Sequence, residues 1–225
     1  ILDAANFAVE QSQVAFLDEH FRSHPDIIRF SNANIYEHKL KVMRQRPSDS
    51  QNALQLIRVA GKRTKSGTNS REASEICDAI QERVNEQRGL PIELSESIGI
   101  LSPFRQQADL LTRKLGQMFT LEEMQKHNLL AGTAYSFQGE ERDVMYLSLA
   151  LDNDSHSAAF RYLAQPDVLN VSITRARNQQ LVYHSFDLAS VPAQGLLGGW
   201  LLDLDGESEA SAEFMSAPEC KDQFR

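Results

Sequence analysis

Short apolar runs alternate with helical patterns along this chain, and that alternation limits the folds open to it. Val14–Leu17, Leu54–Ala60, Ile98–Leu101, Leu129–Ala134, Val144–Ala150 and Gln180–His184 have the length and bounding polar residues of strands. Between them lie helical periods. Pro25 sets the first turn of a helix whose apolar side is Ile27, Ile28, Phe30, Ile35 and Tyr36. Asn69 and Glu72 have the form of a capping box, opening a helix with Ala73, Ile76, Cys77, Ile80 and Val84 on one face. Phe104–Met118 repeats the pattern through Ala108, Leu111, Leu115 and Met118. Asp167–Arg177 and Gly195–Leu204, the latter with Trp200, complete the set. Residues 41–53, 61–69 and 152–157 read as loops, the second flexible and basic. This order predicts an α/β fold with a mainly parallel sheet and helices on both faces.

The length of 225 residues suits one such domain. No run approaches the ~18 apolar residues of a membrane span, so no membrane partner is expected. Cys77 and Cys220 form neither a disulfide framework nor a zinc spacing, and Cys77 falls on the buried face of a helix. A cytoplasmic setting is the expectation. The net charge of −8 is uneven. Residues 201–225 hold seven acids and two bases, leaving 21 bases against 24 acids before them. We therefore expect one domain over residues 1–202 and a flexible acidic tail over 203–225. A near-neutral body can still carry a local basic groove.

Three places carry chemistry. Ser102, Pro103 and Phe104 follow an apolar strand and open a helix, so a hydroxyl and unpaired N–H groups gather there. Gly132 to Asp143 places Ser136, Gln138, Gly139 and Glu141 in a turn between two strands. Arg175 and Arg177 stand behind a short apolar stretch, as donors to a phosphate would. Other patterns fail. Asp18 and Glu19 end a strand as magnesium ligands of a P-loop ATPase do, but the chain has no G-x-x-x-x-G-K-[ST] loop. Asp152 to Asp154 starts like a calcium loop and lacks its glycine and its glutamate. The six histidines have no metal spacing, so no metal site is expected here. Lys62, Arg63, Lys65 and Arg71 could track a polyanion, but a solvated flexible loop is the reading that the sequence favours.

Four stretches in order resemble motifs of superfamily 1 helicases, in the 5′-to-3′ branch of RNA-decay and replication-repair enzymes. Phe21-Arg-Ser-His-Pro25 is similar to Tyr-Arg-x-His-Pro, with phenylalanine for tyrosine. Ser102-Pro-Phe-Arg-Gln-Gln107 is similar to Thr-Pro-Tyr-x-x-Gln. Thr133 to Glu141 follows Thr-x-x-Ser-Phe-Gln-Gly-x-Glu, the most specific of the four, and Asn170 to Ala176 follows Asn-Val-x-x-Thr-Arg-Ala.

The resemblance implies a RecA-like three-layer fold and, for this chain, the second motor domain. It implies ATP with Mg2+ in a cleft against a first RecA-like domain, which would bring the P-loop and the metal ligands. Arg22 and Arg175 would reach the γ-phosphate as catalytic arginines. Glu141 would take the ribose, Gly139 would let the backbone approach the nucleotide, and Arg177 would be a second contact. Ser102, Pro103, Phe104, Thr133 and Ser136 would meet single-stranded DNA or RNA, with Gln138 coupling the two sites. Arg22, Glu141 and Arg175 should then line one nucleotide face, with Ser102 and Thr133 on a nearby but distinct surface. All are expected at ligand-facing edges, where the carboxyl ends of parallel strands gather ligands. A module on the same fold that binds nucleic acid or protein without a motor function remains the alternative.

Overall fold

Parallel strands with apolar residues on both faces need a helical layer on each side, and the chain supplies both. The computed structural model describes residues 17–45, 53–192 and 194–216. Strands β3 (Leu54–Arg58), β4 (Ile98–Leu101), β5 (Leu130–Gly132), β6 (Arg142–Asp152) and β7 (Ala176–Ser185) form one sheet in the order β3-β7-β6-β4-β5. Every pairing in it is parallel. A separate parallel pair joins β1 (Glu19–His20) to β2 (Lys41–Val42). The α/β class read from the sequence is the one observed, in a RecA-like arrangement of sheet and flanking helices.

Along β6 the side chains divide between two cores. Val144 and Tyr146 pack with α2 (Ser70–Glu86) and α3 (Arg105–Met118) through Ala73, Ile76, Ile80, Leu111 and Leu115. Met145, Leu147, Leu149 and Leu151 face the other layer. That layer is built from α1 (Pro25–Asn34), α5 (Ser157–Leu163), α6 (Pro166–Ile173) and α7 (Leu196–Ser216), with Phe30, Leu163, Leu169, Ile173 and Trp200 buried in it. Cys77 is buried as expected, and burial pushes its thiol up to about 11, so it stays protonated.

Several boundaries moved. The helix expected over Asp167–Arg177 stops at Ile173, and β7 begins at Ala176 instead of Gln180. Arg177 therefore lies on a strand and Arg175 in the turn before it. Polar residues at a strand's start extend beyond the apolar core and leave no apolar signal. Met118 is 38% exposed, not inward, and α4 (Leu121–Lys126) and α5 are short helices beyond those that the sequence predicts. Only Leu17 of the expected first strand lies within the described residues, and Lys41–Val42 is a strand inside an expected loop. α7 continues past residue 202, with Leu204 buried.

The expected capping box at α2 is made by half. The Asn69 side chain accepts from the Glu72 N–H at 3.1 Å, but the Asn69 N–H donates to Oε1 of Gln107 instead. The Glu72 carboxylate turns inward, is fully buried, and accepts from the Ser148 hydroxyl at 2.7 Å and the Ala150 N–H at 2.9 Å.

Candidate nucleotide face and strand edge

Arg22, Glu141 and Arg177 form a chain of ion pairs. Nε of Arg22 lies 2.5 Å from one oxygen of Glu141, and Nη2 of Arg177 lies 2.6 Å from the other. Nη1 of Arg177 also stands 3.7 Å from Asp143. The backbone holds these segments together: the His24 N–H donates to the Arg177 carbonyl at 2.7 Å. Arg44, which the sequence reading passed over, donates Nη1 to the carbonyls of both Arg22 and Arg177, at 2.8 and 2.7 Å, and binds Asn178 as well. Only tertiary placement shows that role, because Arg44 sits in a polar stretch without apolar period. Gly139 joins the same open polar pocket, of about 620 Å³, as Arg22, Glu141 and Arg177. Its φ of +78° suits glycine, and a Cβ there would meet nothing within 4 Å, so its requirement is conformational.

Arg175 emerges beside this group. Its Nε is buried and has no hydrogen-bond partner among the described residues. Loss of solvent, and then the positive charge of Arg22, hold its pKa below the ordinary arginine value, while Glu141 opposes them. Two guanidiniums thus share the field of one carboxylate, and a third binds that carboxylate from the far side. Phe21, 65% exposed, Arg22, Glu141 and Thr174 line a second pocket next to the first.

Arg22, Glu141, Arg175 and Arg177 do come together, but at the opposite edge of the sheet from the expected one. Arg142 pairs in register with Ala176 at the amino ends of β6 and β7, so Glu141, Arg175 and Arg177 belong to that edge. Ser102 and Thr133 follow the carboxyl ends of β4 and β5. Residues 133–141 are one of the connections between the edges, passing from the end of β5 to the start of β6 through a 3-10 turn, Ala134–Phe137. β5 is only three residues long, so a crossover without a long helix suffices. The exposed Gln138 sits within it.

At the carboxyl edge Ser102 is fully buried. Its N–H donates to the Gly132 carbonyl at 3.0 Å, and its hydroxyl accepts from the Phe104 N–H at 3.3 Å. Thr133 is half-buried and Ser136 is exposed, folded so closely onto Gly132 that a Cβ there would come within 2.4 Å of Ser136. Tyr135, beside them and 87% exposed, is an aromatic that the sequence reading did not single out. The Pro103 carbonyl accepts from the Tyr162 hydroxyl at 3.4 Å. The Phe104 ring is tilted against Tyr162 and is covered by the Arg63 guanidinium, 4.2 Å from its centroid. Asp18 pairs with Lys41 at 2.6 Å, which answers its charge. Among the described residues no group of three or more His, Cys, Asp or Glu stands where it could hold a metal ion, and no helix is long and apolar enough to cross a membrane.

Against this geometry, the family model described as "AAA domain" matches residues 3–185. The chain belongs to that family. With its relatives, this makes it a superfamily 1 helicase domain of the group of Sen1 and regulator of nonsense transcripts 1. This helicase domain is 26% identical over 186 residues to helicase sen1 of Schizosaccharomyces pombe, an alignment covering 76% of the chain and 11% of that protein. Helicase SEN1 of Saccharomyces cerevisiae is 25% identical over 201 residues, 77% of the chain and 9% of that protein. Regulator of nonsense transcripts 1 of Dictyostelium discoideum is 30% identical over 172 residues, 70% of the chain and 12% of that protein. The helicase domain thus spans a small fraction of the length of the curated relatives it matches.

The buried Glu72 also gives the helicase domain a pH dependence that can be isolated. Loss of solvent pushes its carboxyl up to about 7 against the ordinary 4.5. The folded state then binds the proton more tightly, so this group's stabilisation is full below about pH 4.5 and lost as pH rises through about 7. His184 runs the other way: burial pushes it down to about 4, and its contribution is present above its ordinary value and lost as pH falls towards 4. Each is worth about 3 kcal/mol at full extent. The two oppose each other between about pH 4.5 and 6.5. Thermal unfolding of wild type and Glu72→Gln across that range should show the wild-type advantage shrinking as pH rises. Parallel curves for the two proteins would contradict the assignment.

Proposed function

We propose that this chain is the C-terminal motor domain of an ATP-dependent helicase. The observation that carries the reading is the cluster of Arg22, Arg175 and Arg177 around Glu141, with the Arg175 Nε buried and unanswered. Guanidiniums crowded at a half-buried edge leave positive charge short of a partner, and a polyphosphate supplies it. ATP brings a transferable γ-phosphoryl group whose developing charge Arg22 and Arg175 would stabilise. To do so, Arg22 would exchange the Glu141 carboxylate for phosphate oxygens. Glu141, still held by Arg177, would then be free to accept from a ribose hydroxyl, and the glycine turn at Gly139 would leave room beside it. Mg2+ and the phosphate-cradling loop would come from a first RecA-like domain facing this edge.

At the carboxyl edge, Thr133 and the exposed Ser136 would bond the phosphates of single-stranded DNA or RNA without reading its sequence. Ser102, Pro103 and Phe104 would form the floor of that edge. Closure of the two domains on nucleotide and reopening after hydrolysis would move the strand edge through residues 133–141, with Gln138 in the connecting turn. The helicase names of the relatives support this reading.

It follows that this chain by itself should not hydrolyse ATP, because its sequence has no phosphate-cradling loop. Phosphate release with an excess of single-stranded DNA or RNA should stay at background. Turnover that survives purification and disappears in Arg175→Ala would overturn the division of labour between two domains.

A further inference from the structure

The basic loop between β3 and α2 is not a loose solvated segment. The Arg63 N–H donates to Asp152 at 2.7 Å, and its Nη1 donates to the Ala150 carbonyl at 2.6 Å. Ala150 has a φ of +50° at a register shift in β6, and its N–H is held by the buried Glu72. A buried contact from Glu72 and a half-buried one from Arg63 thus grip one strained residue from its two sides, and Arg63 rests its guanidinium on Phe104. Above this foot the loop closes on itself. The Thr64 N–H donates to the Thr68 carbonyl at 2.8 Å, and the hydroxyls of Thr64, Ser66 and Thr68 bond one another.

The braced loop presents Lys62 and Lys65, both exposed. Among the described lysines these two alone have no ion pair or hydrogen bond. Lys39 and Lys41 pair with Glu37 and Asp18, Lys114 bonds the Ser74 hydroxyl, and Lys126 bonds two carbonyls. A chain of net charge −8 offers many carboxylates, yet these two cations stand clear of them, on a loop anchored at the carboxyl ends of β6 and β4. That is the edge holding Thr133 and Ser136.

We infer that the 62–68 loop is a further single-strand contact, with Lys62 and Lys65 as phosphate partners and Arg63, through Phe104 and Ala150, as the residue that positions them. This rests on the proposed strand edge and extends it across the sheet towards β3. Lysine is suited to the task, since a compact charge on a flexible stem follows a backbone without demanding one geometry. The loop hydroxyls add donors that are indifferent to base identity.

The test is a salt titration of single-strand affinity, by fluorescence anisotropy with a labelled homopolymeric oligonucleotide and the full chain. On single strands each neutralised phosphate adds about 0.7 to the slope of log affinity against log salt. Lys62→Gln with Lys65→Gln should therefore lower the slope by about 1.4 and weaken binding about fivefold to tenfold per lysine at low salt. Lys39→Gln with Lys41→Gln changes net charge equally but removes lysines that already have partners, and it should leave the slope as in wild type. Equal slopes for wild type and the Lys62/Lys65 variant would overturn the loop assignment and leave the strand edge standing. An equal loss in the Lys39/Lys41 control would reduce the effect to net charge and overturn it too. A wild-type chain with no single-strand affinity at any salt would remove both the strand edge and the loop. If the Lys62/Lys65 variant of the full chain lost inorganic phosphate binding but kept its oligonucleotide affinity, the loop would be an anion site and the strand contact would be overturned.

Discussion

Arg175→Ala in the full-length protein should lower kcat by at least about 10²-fold, with nucleotide affinity falling much less. The reason lies in where the charge is needed. Arg175 is half-buried, its Nε has no partner, and solvent loss together with Arg22 makes its charge costly in the resting domain. A group held under those conditions gains most when a dense anion arrives, and the anion is densest at the transferring phosphoryl group. Binding of ground-state nucleotide draws on other contacts as well, so Kd should move little. Arg175→Lys keeps the charge and loses the planar fork, and should recover only part of the rate. Arg22→Ala should also lower kcat, but it frees Glu141 from one partner, so its effect on nucleotide affinity should be the more complex of the two. Steady-state kinetics with measured nucleotide Kd decide the matter. Near-normal turnover in Arg175→Ala would show that this arginine only fills space between α6 and β7.

Trp200→Ala should destabilise the domain by about 3–5 kcal/mol, the range for removing a large buried aromatic. For a domain of this size that corresponds to a fall in Tm of about 10 °C. Trp200 is 1% exposed, and its neighbours Leu197, Leu201 and Leu204 are buried in the same core as Phe30 and Leu54. A Cβ on Gly199 would stand 3.8 Å from the Phe30 ring, so α7 lies close against α1. The acid of this region is therefore not separable from the fold at residue 203. Asp203 pairs with Arg29 at 2.9 Å on the surface, while Leu204 one residue later is core. Any truncation meant to probe the acidic end has to leave Leu204 in place. Thermal unfolding followed by circular dichroism tests this. A variant that melts with the wild type would mean that α7 is not part of the cooperative unit.

Strands and helices were legible wherever apolar residues kept a clean period. Ile98–Leu101 matches β4 residue for residue, and the buried face of α2 is the one that its spacing predicts. The motif residues were legible as well, since Ser136-Phe-Gln-Gly139 and Thr174-Arg-Ala176 are patterns of residue type and need no geometry. What the sequence could not show was which edge of the sheet each motif occupies. The general tendency of ligands towards carboxyl ends placed all of them together, whereas Glu141, Arg175 and Arg177 gather at the amino ends of β6 and β7. Glu141 reaches that edge through the connection from β5 to β6, and Arg175 and Arg177 through the one from α6 to β7, so the edge follows from which side of a parallel strand each motif flanks.

The sequence by itself determined the α/β class, the order of the five strands of the main sheet and the chemical types available at the site. The tertiary structure alone decided that Glu72 would be an internal anchor instead of a cap, that Arg63 would stand on Phe104, and that Arg44 would tie the Arg22 and Arg177 segments together. Hydrophobic period is a local property, summed over neighbours in the chain, so it survives in the sequence. A buried charge finds its partners from strands and helices distant in the chain, because leaving it unpaired costs more than any local preference offers.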